Sequence, residues 1–518
     1  MRNSLALLLC LCLCLWPLAA PAQDAPLSAI DWLSTPTALP VTRAVPVPPV
    51  APLNESPVAE TATIPVVNVT PLDQVRVDAV GLLPSSVTGL PRSLWQASRA
   101  ADLRDLLAAR HVDNLPAMQS LLYTLLLAEA DAPTDAGPQA IFLQARIDAL
   151  MGLGAVEPAQ ALLERAGATT PPLFQRWFDA TLLTGDEDHA CRTLRARPHL
   201  SPSYAARIFC TARGGDWTAA ALTLDTARAL GFITDLEDEM LARFLDPELY
   251  EGEPPPLPPV RPSPLLFRIY EAVGEPLPTN TLPRAFAMAD LRDTVGWKAE
   301  LTAAERLART GALSVNRLLG IYSKRLPAAS GGIWDRVAAL QRFDTAMRSG
   351  DPGAVTQALP GAWRAMRAAR LEIPFADLYG ADLMRLPLTD EAATLAYDVA
   401  LLGPAYEEAA KTKGPDIPAR SFASSIARGS PDTPGRDTTQ TAIARGFGTT
   451  PPPDDITALL QEARLGEAIL TAIALYELGQ TGDTGALAEA LAAFRAVGLE
   501  DTARRAALQT LILGNRAR

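Results

Sequence analysis

Apolar residues recur at three- and four-residue spacing along most of the chain after Leu94. The clearest examples are ADLRDLLAAR at 101–110, AMQSLLYTLLLAEA at 117–130 and AIFLQARIDALMGLG at 140–154. This spacing matches the 3.6-residue turn of an α-helix that buries one face. Strong helical periodicity also runs from Ile456 to Leu513 at the end of the chain. The pattern predicts an all-α fold.

A glycine-centred turn recurs within this helical pattern. Three glycines stand 31 and 30 residues apart, and a small side chain follows five residues after each. The glycines are Gly154, Gly185 and Gly215, and the small residues are Ala159, Ala190 and Ala220. Glycine suits the left-handed position after a helix, and a small residue lets two helices cross closely. The same layout returns at Gly350 and Gly482, with the larger apolar residues Val355 and Leu487 in place of alanine, so these sites also predict helical hairpins.

Helix pairs with a period near 30 residues must stack on their neighbours to bury both faces, which predicts a repeat solenoid. On the glycine and alanine positions above, residues 138–231 resemble the tetratricopeptide-like superfamily of helical repeats. The resemblance implies a right-handed superhelix whose concave face binds peptides or partner proteins.

The first 22 residues are typical of a secretory signal peptide. Arg2 supplies the positive charge, residues 5–15 form an unbroken apolar run, and Ala20-Pro21-Ala22 is a small-x-small cleavage site. The run is too short to anchor the chain across a bilayer. Three of the five cysteines lie within it, and a lipoprotein leader is disfavoured because leucine precedes each of them. We therefore expect a mature chain with no integral membrane segment, in the periplasm of a Gram-negative bacterium or secreted.

Proline-rich stretches divide the rest of the chain. Prolines are frequent between Thr35 and Pro65, which predicts an extended, largely disordered tether because proline fixes φ and has no N–H. EGEPPPLPPVRPSP predicts a proline linker, and the long polar segment from Lys413 predicts a flexible loop. The expected divisions are a tether at 23–90, a helical-repeat domain at 91–250, a proline linker at 251–264, a second helical domain at 265–412, a flexible loop at 413–455 and C-terminal helices at 456–518.

The two remaining cysteines, Cys191 and Cys210, flank a predicted turn centred near Leu200. Cys191 stands nine residues before Leu200, and Cys210 stands ten residues after it. An antiparallel hairpin would therefore bring the two cysteines to the same height along the helices. A zinc site fits poorly, because His189 lies about 200° around the helix from Cys191 and His199 lies in the turn. The favoured interpretation is a structural disulfide of an exported protein. Two free buried thiols and a metal site are the alternatives.

An apolar octet, LSAIDWLS at 27–34, precedes the proline-rich stretch. Ile30 and Leu33 would share one face of a short helix, with Trp32 beside them. Such a segment has the size of an anchor that fits a partner's groove, and a tether would raise its local concentration. These three residues are the candidate partner-binding site. The alternative is that the octet docks on the protein's own groove or has no role.

Charge and motifs narrow the possible functions. The chain carries 46 basic and 58 acidic residues, whereas nucleic-acid binding needs clustered positive charge, so no nucleic-acid partner is expected. The sequence contains no nucleophile elbow, zinc-protease motif or phosphate-binding glycine loop. It therefore predicts no catalytic residue, no cofactor and no metal site.

Two functions are consistent with these features. The favoured one is an exported, non-enzymatic scaffold or adaptor that binds cell-envelope proteins through a solenoid surface. The alternative is a peptidoglycan-processing enzyme with a helical superstructure, similar to some lytic transglycosylases. Those enzymes place a catalytic Glu beside a Ser, and the one such pair here, Glu55-Ser56, lies in the predicted tether.

Overall fold

In the computed structural model the chain divides into two units, Met1–Thr70 and Pro71–Arg518. The structure describes residues 76–412, 418–431, 435–448 and 450–514, all within the second unit. These residues form α-helices joined by turns and short 3₁₀ segments, so the predicted all-α fold is confirmed for this part of the chain. Within the same ranges, no helix combines the length and apolarity needed to cross a membrane.

The first part of the fold consists of successive helical hairpins. Its helices are α1 Ser85–Thr88, α2 Ala100–Ala108, α3 Pro116–Leu127, α4 Ile141–Leu153, α5 Val156–Ala166, α6 Pro171–Thr184, α7 Glu187–Ala196, α8 Tyr204–Arg213, α9 Trp217–Ala229 and α10 Asp235–Leu245. From α4 to α10 each helix packs on the next. The predicted turns are confirmed, because Gly154, Gly185 and Gly215 have φ values of 83°, 90° and 91°. The alanines at 159, 190 and 220 are fully buried.

The middle helices surround a second hydrophobic core. They are α11 Pro264–Ala272, α12 Trp297–Ala308, α13 Val315–Ser323, α14 Ile333–Ser349, α15 Pro352–Ala368, α16 Glu372–Leu383 and α17 Asp390–Leu402. A 3₁₀ segment, Arg284–Leu291, lies between α11 and α12. The hairpin of α14 and α15 turns at Gly350, with φ 68°, and the Asp351 side chain caps α15 by accepting from the Gly353 amide. Leu183 from α6 also packs in this core, so it is continuous with the first hairpins.

The C-terminal helices return to the beginning of the folded unit. They are α18 Tyr406–Lys411, α19 Pro418–Ala427, α20 Thr438–Phe447, α21 Asp454–Gln461, α22 Leu465–Gln480, α23 Thr484–Ala496 and α24 Glu500–Leu513. Helix α22 packs on α2, and α24 packs on α3 and α17. Gly466 lies so close to Trp95 that a Cβ at this position would stand 2.2 Å from the indole ring. The two ends of the unit therefore share one hydrophobic core, which includes Trp95 and Phe494 and which we call the first core.

The predicted tether at 23–90 is wrong over its last part. Val77–Ala79 forms a 3₁₀ turn, and Leu83 pairs with Ala128 in an isolated β-bridge. The Asp78 side chain is buried rather than solvated. The segment folds because a buried polar network holds its backbone.

Arg146 on α4 is the centre of that network. Its guanidinium is fully buried and donates to the carbonyl oxygens of Leu126, Val80 and Ala128 at 2.8, 2.7 and 3.1 Å. The Asp78 carboxylate accepts from the Leu143 amide at 2.7 Å. Burial lowers the pKa of Arg146 to about 10, which still leaves the side chain charged at neutral pH. Arg146 thus joins the start of the folded unit to α3 and α4.

The proline segment at 251–264 has no helix before Pro264, but it does not separate two domains. Leu265 and Ile269, which follow it, pack in the first core. Its carbonyl oxygens are held from both sides, because Arg243 donates to Glu253 and the Tyr270 hydroxyl donates to Pro256. The expected domain boundary is therefore corrected.

The flexible loop predicted at 413–455 is also wrong over the residues of this range that the structure describes. This range contains α19 and α20, and α21 begins at Asp454. Ile426 and Ile443 are fully buried in the first core, which explains why these short helices form.

Candidate functional site

Cys191 on α7 and Cys210 on α8 form a disulfide with an S–S distance of 2.03 Å. The 3₁₀ turn Pro198–Leu200 lies between the two helices, as the nearly equal spacing of the cysteines from Leu200 predicts. Both cysteines are buried. The hairpin therefore carries a covalent cross-link inside the core rather than at its surface.

The two nearby histidines lie at the surface, whereas the cysteines are buried. His189 and His199 are both exposed, and the His189 ring packs edge-on against Trp177 with ring centres 5.1 Å apart. No cluster of three potential metal ligands occurs among the described residues. The candidate anchor residues Ile30, Trp32 and Leu33 lie outside the described residues, as does the predicted signal peptide at 1–22.

A cavity of about 710 Å³ lies where the beginning, middle and end of the folded unit meet. We call it the central cleft. Its walls come from α3, the C-terminal end of α12, the start of α16 and α24. Apolar side chains, including Leu313, Ile373 and Leu402, line it together with charged and polar ones. A cavity of this size and mixed lining can hold a small molecule or a short peptide segment.

The elements around the central cleft are fixed by hydrogen bonds between distant parts of the chain. The Gln509 side chain on α24 accepts from the Ala117 amide in the first turn of α3 at 2.9 Å. Arg309 at the end of α12 donates from Nε to the Ala369 carbonyl oxygen at 2.7 Å. These bonds satisfy groups at helix ends that have no partner within their own helix. They also hold the walls of the cleft in place.

Asp501 on α24 is the centre of a set of hydrogen-bonded side chains. The Tyr406 hydroxyl donates to this carboxylate at 2.8 Å, and Arg505 Nε donates to its other oxygen at 2.8 Å. The Arg505 guanidinium also lies over the Tyr406 ring, 5.0 Å from its centre. Arg505 and Asp501 both line the cleft, so they present an oriented ion pair to its interior.

Tyr123 on α3 lines another wall of the cleft. Its hydroxyl oxygen is buried and has no hydrogen-bond partner among the described residues. Burial raises the pKa of Tyr123, and the positive charge of Arg284 opposes this effect. A buried hydroxyl without a partner is unusual in folded proteins.

Asp377 on α16 is a carboxylate of the central cleft whose pKa is raised. Its side chain remains accessible from the cleft, but the surrounding protein reduces its hydration and raises its pKa from 3.8 to about 6. The charge of Arg505 acts in the opposite direction. Asp377 therefore changes from neutral donor to charged acceptor near pH 6.

Asp377→Asn should stabilise the protein above pH 6 and have little effect near pH 4. The folded carboxyl holds its proton more tightly than the unfolded one, so its ionisation lowers stability as pH rises from 3.8 to about 6. Because water in the cleft screens the charge, we expect the Tm to rise by only about 1–2 °C at neutral pH. Thermal unfolding across this pH range measures it. Asp382→Asn, on the same helix but solvent-facing, is the control, and an equal shift in both variants would contradict the prediction.

Comparison with protein-family models, curated protein sequences and solved structures finds no match to this chain. The functional interpretation consequently depends on the geometry described above.

Sequence reasoning identified the cysteine pair but missed the central cleft. The cysteines share one hairpin, so their spacing from the turn predicts that they meet. Tyr123, Asp377 and Arg505 come from three helices that are far apart along the chain. They form no local motif, and no signal in the sequence would have brought them together.

Proposed function

We propose that this protein is an exported, non-enzymatic scaffold or adaptor of the bacterial cell envelope. In this proposal its helical hairpins form a tetratricopeptide-like solenoid, and a partner protein inserts a segment into the central cleft. The observation that carries the proposal is the central cleft, whose fixed walls combine apolar surface with oriented charges. The partner segment would have an apolar side chain flanked by polar groups.

The disulfide supports the part of the proposal that concerns location. Disulfides persist in oxidising compartments such as the periplasm and are rare in the cytosol of most bacteria. The Cys191–Cys210 bond is buried, so it belongs to the structural kind rather than the exposed, exchangeable kind. It is compatible with the signal peptide proposed at 1–22.

The hydrogen bonds of the cleft support binding rather than catalysis. Arg505 is paired with Asp501, and Arg309 is engaged with a backbone carbonyl oxygen. Because these guanidinium groups are already hydrogen-bonded to the protein, their orientation is fixed. They therefore act as oriented donors that select a ligand. Ile30, Trp32 and Leu33 are proposed as a second contact, because a buried Trp often dominates an anchor of this kind.

Site-specific photo-cross-linking tests the proposal. A photoreactive residue in place of Ser120, which is exposed on α3 and lines the cleft, should give one defined adduct in living cells. The same residue in place of Thr193, which is partly exposed on α7 and does not line the cleft, should not give that adduct. Trp32→Ala should reduce the adduct several-fold if the octet is an anchor, with an unchanged Tm.

The outcomes separate the parts of the proposal. No adduct at 120, or equal adducts at 120 and 193, would contradict partner binding in the cleft. An undiminished adduct in Trp32→Ala would remove the octet from the proposal and leave the cleft. Release of muropeptides from purified peptidoglycan by the full-length protein would favour the alternative enzyme instead.

A further inference from the structure

Four arginine side chains line one small cavity beside the central cleft. The cavity has a volume of about 300 Å³, and we call it the arginine cavity. The arginines are Arg284, Arg306, Arg309 and Arg370. Asp113 is the one carboxylate among the lining residues. This concentration of positive charge contrasts with the whole chain, whose formal net charge is −12.

The fold brings these arginines together from three places. Arg306 on α12 and Arg309, the C-cap residue of this helix, are three residues apart and therefore lie on neighbouring parts of its surface. Arg284 begins the 3₁₀ segment before α12, and Arg370 follows the end of α15. No stretch of sequence would reveal the cluster.

Backbone contacts hold the guanidinium groups in position. Arg306 donates to the carbonyl oxygens of Thr279 and Leu282, and Arg284 donates to that of Gly152. A guanidinium has five N–H donors in a planar fork, so these bonds leave further donors on each group. Because the arginines are already ordered, an incoming anion would lose little affinity to the ordering of side chains.

The positive charges in the arginine cavity are only partly compensated. Asp113 pairs with Arg284 at 2.8 Å, but its carboxylate is 64% exposed and is therefore well screened. Arg309 pairs with the buried Glu305 at 3.5 Å, whereas Arg306 forms no ion pair with a described residue. Burial lowers the pKa of Arg306, and the neighbouring charges of Arg284 and Arg309 lower it further. A bound anion would relieve this repulsion.

Arg370 has a backbone conformation that favours glycine. Its φ is 57°, and it follows the C-cap residue of α15, the position at which helices commonly end with glycine. An arginine here is unfavourable for the backbone, yet it presents its side chain to the cavity and donates to Asn114 Oδ1 at 2.7 Å. This placement is expected where the guanidinium has a role that glycine cannot fill.

We propose that the arginine cavity binds the oxyanion group of a small molecule, either a phosphate or a carboxylate. Both groups match the planar fork of a guanidinium and accept paired hydrogen bonds from it. The volume admits one such group with few additional atoms. The site is independent of the partner-binding function proposed above, although Arg309 and Arg370 border both cavities.

Calorimetric titration of the purified full chain tests this inference, with inorganic phosphate and citrate as probes and ionic strength held constant with sodium chloride. We expect saturable binding of one equivalent of at least one probe. Saturation by phosphate alone indicates a phosphate-bearing ligand, and saturation by citrate alone indicates a carboxylate. Absence of saturable binding by both probes up to about 10 mM would overturn the proposal.

Two variants connect the binding to this cavity. Arg306→Gln and Arg370→Gly should each weaken binding by about tenfold or more, since each removes a charge-assisted hydrogen bond. Arg370→Gly should leave the Tm unchanged or slightly higher, because glycine fits the φ of this residue, so weaker binding could not be attributed to unfolding. Arg385→Gln, 77% exposed and outside the cavity, is the matched control. Native affinity in both cavity variants would refute the assignment, whatever the outcome of the cross-linking experiment.

Discussion

Arg146→Ala is expected to lower the free energy of unfolding by about 3–5 kcal/mol, the loss typical when one member of a buried charged network is removed. The substitution leaves carbonyl oxygens of Leu126, Val80 and Ala128 without their donor in the interior. It also removes the positive charge beside the buried Asp78 carboxyl. Urea denaturation followed by circular dichroism measures the change.

The matched control is Arg165→Ala, since Arg165 is 55% exposed and pairs with Glu129 at 3.3 Å near the surface. Exposed pairs of this kind contribute about 1 kcal/mol or less. Hydrogen exchange adds a local measurement, because the amides of residues 77–83 should lose protection first in Arg146→Ala. Equal losses of stability in the two arginine variants would contradict the role assigned to Arg146.

Removal of the disulfide is expected to be the second large effect. The double variant Cys191→Ala and Cys210→Ala should lower the free energy of unfolding by about 3 kcal/mol, because the bond closes a loop with a sequence separation of 19. Helical circular dichroism should persist at room temperature, since α6 and α9 still pack against the hairpin from either side. Alanine is chosen because serine would bury hydroxyl groups in an apolar core.

Mass analysis without reduction provides the control for the disulfide prediction. The native chain should yield one cross-linked peptide that contains both cysteines, and reduction should lower its Tm as the double variant does. Two thiols that react with an alkylating reagent in the folded, unreduced chain would contradict the bond. An unchanged Tm after reduction would show that the loop is constrained by packing alone.

The cysteine pair could be predicted from the sequence, whereas the arginine cavity could not. Cys191 and Cys210 belong to one hairpin, and the rise per residue of a helix is enough to predict that they meet. Arg284 and Arg370 line one cavity, although one precedes α12 and the other follows α15, so their proximity depends on the tertiary fold. The same holds for Tyr123 and Asp377 in the central cleft.

Features that depend on near neighbours in the chain could be predicted from the sequence alone. Helical spacing from Leu94 onward predicts the all-α fold, and glycines such as Gly154 and Gly185 predict the turns, because both depend on backbone preferences over a few residues. The tertiary structure alone decided how the ends meet. The packing of α24 on α3, the burial of Ile426 and Ile443, and the holding of residues 76–83 by Arg146 all depend on long-range contacts, whose energies arise only once distant apolar surfaces have excluded water.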